Sequence, residues 1–182
     1  MLFVTYIQYK IKYINRVKFR GFTYIYASKG SKICIGNGTV INNYTTSNMF
    51  GIWQNTIFYV KNKGKVTLGE KCGISGVSFC AVEEITVGDR VQIGANTKIM
   101  DNDMHSLDPI ERANDERKNI KHAPVRIGND CFIGAQSIIL KGTVLGDNCI
   151  VGAGSVVHGV FPDNVVIAGN PAKIIKANVL KQ

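Results

Sequence analysis

The chain contains three histidines, His105, His122 and His158, and the first lies in the polar segment DNDMHSLDP that starts at Asp101. An imidazole titrates close to neutrality. It can take a proton from an attacking hydroxyl and return one to a leaving group. Such a base works best when an acceptor holds its second ring nitrogen. Asp101 and Asp103 precede His105, and Asp108 follows it. A backbone carbonyl would serve equally, and Asp and Asn are ordinary turn residues, so each acid has a second reading. The alternative for His105 is a loop histidine without chemistry. An oxyanion would need donors, and backbone N–H groups at a Gly-rich turn such as Gly134–Ala135 are candidates. Arg112, Arg117, Lys118 and His122 lie in the charged stretch that follows His105. They either face an anionic ligand or form a solvated loop.

Other chemistries find little support. The cysteines at 34, 72, 80, 131 and 149 form an odd set without C-x-x-C spacing. This argues against a zinc knuckle and against a disulfide framework. Cys131 and Cys149 are read as small buried side chains stacked on one another. Three scattered histidines do not make a metal cluster, and no Walker-type phosphate loop is present.

The elements that position His105 are read from a six-residue rhythm. From Ile127 to Val157 an aliphatic residue recurs at 127, 133, 139, 145, 151 and 157. Gly follows it at 128, 134, 146 and 152, and a small residue (Cys131, Ser137, Thr143, Cys149, Ser155) stands two places before the next aliphatic. A fixed short period means stacked, nearly identical rungs. Gly, Asn and Asp allow the tight corners between them. The rhythm begins near Ile35, lapses from Tyr44 to Asn55, returns at Leu68 with one extra residue after Cys80, and breaks at His105. Ser106 to Pro124 form an excursion before the regular run. After Pro162 the pattern predicts a last strand, a turn at Gly169–Pro171 and a short helix over the open end.

At 182 residues one domain is expected. It divides into a preface (1–30), the stack (31–162, with the loop 106–124 protruding) and a C-terminal cap (163–182). The early part of the preface reads as an amphipathic helix and the later part as a strand entering the stack, with periodicity alone not deciding between the two. No apolar run is long enough to span a bilayer, and the first residues lack the marks of a signal peptide, so a cytoplasmic protein is expected. The net charge of +9 is concentrated early: ten Lys or Arg and no acidic residue precede Glu70. That face either meets an anionic surface, such as the inner face of a membrane or a charged acceptor, or is simply solvated. Nothing accompanies it that would indicate nucleic-acid binding.

From Ile33 to Ile175 the chain resembles the hexapeptide-repeat acyltransferases. The tandem hexads, DNDMHSLDP and the ending VVIAGNPAKII carry the likeness. It is most similar to the maltose/galactoside and xenobiotic acetyltransferases, and closer still to O-acetyltransferases of capsular and lipopolysaccharide sugars. The resemblance implies an all-β fold, a left-handed parallel β-helix with three hexads per triangular coil. It implies a homotrimer with sites in clefts between subunits, acetyl-CoA as co-substrate and no metal. His105 would be the general base for transfer of acetyl to a sugar hydroxyl in surface polysaccharide or lipopolysaccharide synthesis. Gly134, Ala135, Gly152 and Ala153 would line the pantetheine, and Lys173, with Lys176 nearby, would meet phosphate. Ser75, Asp108 and Arg112 would face the acceptor. Family sugar acetyltransferases carry an asparagine where ISGVSF here has Ser75 and Ser78, a departure that puts a simple maltose or galactoside acceptor in question. N-acetylation of an amino-sugar nucleotide or an antibiotic is the alternative enzyme reading. The metal-dependent carbonic anhydrases on the same helix would need converging histidines, and a non-catalytic solenoid would need no polar excursion.

Overall fold

The computed structural model describes residues 11–12, 16–116 and 118–178. Its strands form three sheets, each made from every third strand of the chain. The first sheet runs Ile11–Lys12, Lys32–Ile35, Lys65–Leu68, Glu84–Val87, Val125–Ile127, Val144–Leu145 and Val160–Phe161. The second runs Lys18–Arg20, Val40–Asn42, Gly73–Ser75, Gln92–Ile93, Phe132–Ile133, Ile150–Val151 and Val165–Gly169. The third runs Tyr24–Ala27, Ile57–Val60, Ser78–Ala81, Lys98–Met100, Ile138–Ile139 and Val156–Val157. Every neighbouring pair among these is parallel. The protein is a left-handed parallel β-helix, an exception to the usual right-handed crossover.

The hexad is one side of the triangle. Ile127, Ile133 and Ile139 end strands of the first, second and third sheets, and Leu145, Val151 and Val157 stand one coil above them in register. All six are buried, as are Cys131, Ser137, Thr143, Cys149 and Ser155 at the inner corners. The corner polar groups are satisfied locally. Ser137 Oγ donates to the carbonyls of Gly134 (2.8 Å) and Gly152 (3.2 Å). Farther down the core, Phe58 and Phe79 are fully buried and stack with centroids 4.9 Å apart.

Gly and Asn/Asp serve the corners for different physical reasons. The left-handed backbone falls on the fourth hexad position: Asp130, Gln136, Gly142, Asn148 and Gly154 have φ between 56° and 74°. The glycine at the second position is there because the next coil lies close. A Cβ on Gly128 would sit 2.6 Å from the carbonyl carbon of Gly146.

Two features differ from the sequence reading. The stack reaches back past the boundary set at residue 31: Lys18–Arg20 and Tyr24–Ala27 pair in its sheets, in keeping with the strand reading of the later preface, and so does Ile11–Lys12. Most of the preface considered for a helix, residues 1–10 and 13–15, lies outside the described residues. The expected C-terminal helix is instead a strand. Ala172–Ala177 folds back after the Gly169–Pro171 turn and pairs antiparallel with Val165–Gly169. The physical reason is the open edge of the last coil, whose backbone groups a strand can pair and a helix cannot. The one α-helix among the described residues is Pro109–Ala113, so none is long and apolar enough to cross a membrane.

Phe79→Ala removes a ring from the sealed interior, and urea denaturation should register a loss of about 3–5 kcal/mol. Burial pushes the Cys131 thiol up to about 12 and also raises Cys72 and Cys149. A raised thiol pKa keeps the unreactive protonated form. A thiol reagent at pH 8 should therefore leave these three unmodified in the native protein and reach them only after unfolding, as peptide mapping would show.

Candidate active site

The chain can leave a β-helix without breaking its ladders only at the corners, and two excursions do so here. One, residues 43–56, leaves the corner between the second and third sheets. The other, residues 101–124, leaves the corner between the third and first sheets and carries His105.

The base of the His105 excursion is tightly built. Ala123 N–H donates to the Asp101 carbonyl (2.9 Å) and Asp103 N–H to that of Lys121 (3.0 Å), which ties the two stems together. The Asp101 carboxylate is fully buried. It accepts from the N–H groups of Val82 (2.9 and 3.1 Å) and Glu83 (2.8 Å) and from Asn102 Nδ2 (2.9 Å). It therefore holds the extra residue in the coil below and is not the group that orients His105. Asp103 accepts an ion pair from Lys141 through Oδ1, while its Oδ2 is buried without a partner. Lys141 was not singled out in the sequence. Its place at the head of a corner turn, level with the excursion's base, is the signal that could have marked it.

His105 itself is exposed, and no described residue bonds its ring. Its N–H donates to the Asp103 carbonyl (2.7 Å), just after Met104, whose backbone is left-handed (φ 63°). Beyond it the loop is shaped from within. Asp108 caps the short helix by accepting from Ile110 N–H (2.7 Å) and Glu111 N–H (3.3 Å). Arg112 Nη1 donates to the Ser106 carbonyl (2.9 Å). His122 Nδ1 lies 2.7 Å from Glu83 Oε2, and Arg117 is outside the described residues.

The other candidates lie elsewhere. Gly134, Ala135, Gly152 and Ala153 stack at the corner between the second and third sheets, and Ser75 ends a strand at that same corner. Ser75 is buried, whereas Ala153 is exposed. The Gly134 N–H is spent on the ladder, donating to the Val151 carbonyl (2.8 Å), so it is not a free oxyanion donor. Lys173 and Lys176 are exposed on the terminal strand. Within one chain, then, the His105 excursion and the Gly/Ala corner stand on different edges of the triangle. The 43–56 excursion shares the Gly/Ala corner. It is pinned by Asn96, which accepts from Trp53 N–H (3.1 Å) and donates to the Gly51 carbonyl (2.8 Å), and it leaves Met49, Phe50 and Trp53 exposed. No group of three or more His, Cys, Asp or Glu converges among the described residues.

Residues 124–158 match the family model described as the hexapeptide repeat of succinyl-transferase. WbbJ of Escherichia coli K12, named provisionally as a lipopolysaccharide-biosynthesis O-acetyltransferase, is 32% identical over 146 residues, covering 65% of this chain and 74% of that protein. The chain belongs to the hexapeptide-repeat acyltransferases. The galactoside O-acetyltransferase of Escherichia coli K12 is 37% identical over 92 residues, half of this chain and 43% of that enzyme. A solved galactoside acetyltransferase in complex with coenzyme A superimposes with a TM-score of 0.56 at 25% identity, covering 90% of this chain and 65% of that one. By sequence the chain matches about three quarters of WbbJ but less than half of the galactoside enzyme.

Within this hexapeptide-repeat scaffold Asp101 is the keystone of the excursion's base. Asp101→Ala takes the acceptor away from the part-buried N–H groups of Val82 and Glu83 and empties a fully buried position. Chemical denaturation should show a loss of about 1–3 kcal/mol, with Asp101→Asn costing less.

Proposed function

We propose that the protein is an acetyl-CoA-dependent O-acetyltransferase acting on a sugar hydroxyl, with His105 as general base. The observation that carries this reading is the exposed His105 at the head of an excursion whose base is fixed by Asp101, Asp103 and Lys141. Coenzyme A and acetyl donors are what hexapeptide-repeat relatives bind in solved complexes.

In the proposed step the acceptor hydroxyl attacks the thioester carbonyl while the His105 imidazole takes its proton. A C–O bond forms, and the tetrahedral intermediate collapses with cleavage of the C–S bond. The imidazolium then returns the proton to the departing thiolate, so an acetyl ester and free coenzyme A leave. The base regains its starting state, and no metal or redox partner enters the balance. An oxyanion donor must come from a group not already spent on the ladder, which favours a loop or a second subunit over Gly134.

The placement of the residues also supports a homotrimer with sites between subunits. His105 and the Gly134, Ala135, Gly152 and Ala153 wall lie on different corners of one chain, and a neighbouring copy can set one against the other. The exposed Met49, Phe50 and Trp53 beside that wall are apolar surface such a contact would cover. In this reading Lys173, register partner of the Ala168 that lies beside Gly152, meets coenzyme A phosphate. A glycan precursor of surface polysaccharide or lipopolysaccharide, made at an anionic membrane face, is the acceptor setting that fits the basic early coils.

Purified protein incubated with acetyl-CoA and a panel of sugars, glycolipid precursors and amino-sugar nucleotides should release thiol only in the presence of a hydroxyl acceptor. His105→Ala should lower that rate by about 10²- to 10⁴-fold while leaving oligomeric state and coenzyme A binding intact. Wild-type turnover in this variant would remove His105 from the mechanism. Transfer to amino groups alone would replace O- by N-acetylation.

A further inference from the structure

A groove of about 440 Å³ runs along the outer surface of the third sheet beneath the His105 excursion. Its floor includes Tyr59 and Cys80, register partners on the outward face of successive coils, and Tyr26 continues that ladder in the coil below the groove. Tyr26 and Tyr59 stack with centroids 5.2 Å apart. Its roof comes from the excursion, through Asn102, Met104 and His122 among others. The groove therefore reaches the residue immediately before His105. Its volume falls in the range of small-molecule sites, large enough for one or two sugar rings.

The charges facing this groove are of one sign. Lys61 Nζ lies 4.8 Å from the Tyr59 ring centroid and 5.6 Å from that of Tyr26. No carboxylate among the described residues pairs with it. Lys118 also lines the groove, with Glu116 as an exposed partner at 3.3 Å. The nearby acids are committed. Glu83 is bound to His122, and Asp101 is buried beneath the floor and spent on backbone N–H groups. No Asp or Glu lines the groove. Aromatic faces suit the apolar C–H face of a sugar ring, and an unpaired ammonium beside them lacks only an anion.

We propose that this groove is the acceptor subsite and that it selects a saccharide bearing a negative charge, carboxylate or phosphate, with Lys61 as its specificity residue. The proposal rests on the acetyl-transfer reading for its catalytic partner but not for binding. In the bound state Lys61 meets the anionic group, the ring lies along Tyr59, and a free hydroxyl points past Met104 towards His105.

The test compares galacturonate, galactose 1-phosphate and galactose as acceptors for the intact protein, by thiol release and by titration calorimetry. Both anionic sugars, or one of them, should outperform galactose by about tenfold in kcat/KM, the worth of a hydrogen bond to a charged group. The two anionic arms separate carboxylate from phosphate recognition. Lys61→Met should erase most of that preference through KM, and Lys61→Arg should keep it. Equal use of charged and neutral sugars, with a ratio unmoved by Lys61→Met, would overturn the proposal. If no acceptor of any kind releases thiol, the transfer reading fails. The groove is then judged by calorimetry alone: galacturonate or galactose 1-phosphate binding that Lys61→Met abolishes supports it, and no binding refutes it.

Discussion

The hydrogen bonds between successive coils set the terms for everything else in this chain. Gly128 N–H donates to the Leu145 carbonyl, Gly134 to Val151 and Gly152 to Ile167, each at 2.8–2.9 Å. Parallel strands so paired lie about 4.8 Å apart. A Cβ at Gly128, Gly134 or Gly146 would collide with the coil above, and the inner corners of the regular run hold residues the size of Cys, Ser or Thr. The same spacing lets one side chain serve its neighbour. Along the corner between the first and second sheets, Asp163 accepts from Asp147 N–H, Asp147 from Asn129 N–H, Asn129 from Asp89 N–H and Asp89 from Glu70 N–H. Asp89, Asp147 and Asp163 are consumed in this way, which is why acidity alone was a poor guide to chemistry.

A scaffold that commits its backbone so completely can build a site only where the chain leaves it. Both departures occur at corners, and each is closed by a buried polar residue. Asn43 accepts from Thr56 N–H (2.6 Å) and donates to Thr23 Oγ1 (2.8 Å) at the base of one. Asp101 closes the other. Because the rigid stack lies directly beneath, such a base holds the emerging residues with little freedom, and His105 needs no elaborate support of its own. The cost is geometric: two corners of one triangle face different directions. On the proposed reading, a catalytic base on one and a cofactor wall on another come together only across an interface.

The regular part of this arrangement was legible in the sequence because each hexad repeats the same three constraints. An inward aliphatic, a close-approach glycine and a small corner residue are visible without any long-range information. The one extra residue after Cys80 was visible too, but its holder was not, since Asp101 belongs to the next coil. The C-terminal strand escaped for a related reason. AKIIKA is short and ambiguous by itself, and the unpaired edge of Val165–Gly169 decides its conformation. At the site, the break in rhythm pointed to the His105 excursion. The roles of Asp101, Asp108 and Arg112 did not follow from type and spacing, because their partners are backbone groups that only the folded loop brings within reach. Lys61 was hidden among the early basic residues, where nothing in the sequence separates a solvated lysine from one laid over two stacked rings.

The early basic excess gains a location from the fold. Lys29, Lys61 and Lys63 fall in consecutive turns at the corner between the third and first sheets, the corner from which the His105 excursion departs. The acids that follow in that corner's coils are paired: Glu83 with His122, Glu84 with Lys65 and Arg126. The positive field is therefore not cancelled locally but is displaced towards the earlier coils and the mouth of the groove. A field of that shape acts on an approaching anion before any contact is made. Close pairing at Lys61 then converts that attraction into a fixed position. An uncharged sugar would gain the aromatic contact alone, and a coenzyme held at the opposite corner would feel little of this field within a single chain. On the proposed reading, charge in this molecule is arranged around the acceptor side of the excursion, and the regular coils supply the wall against which the other reactant can be held.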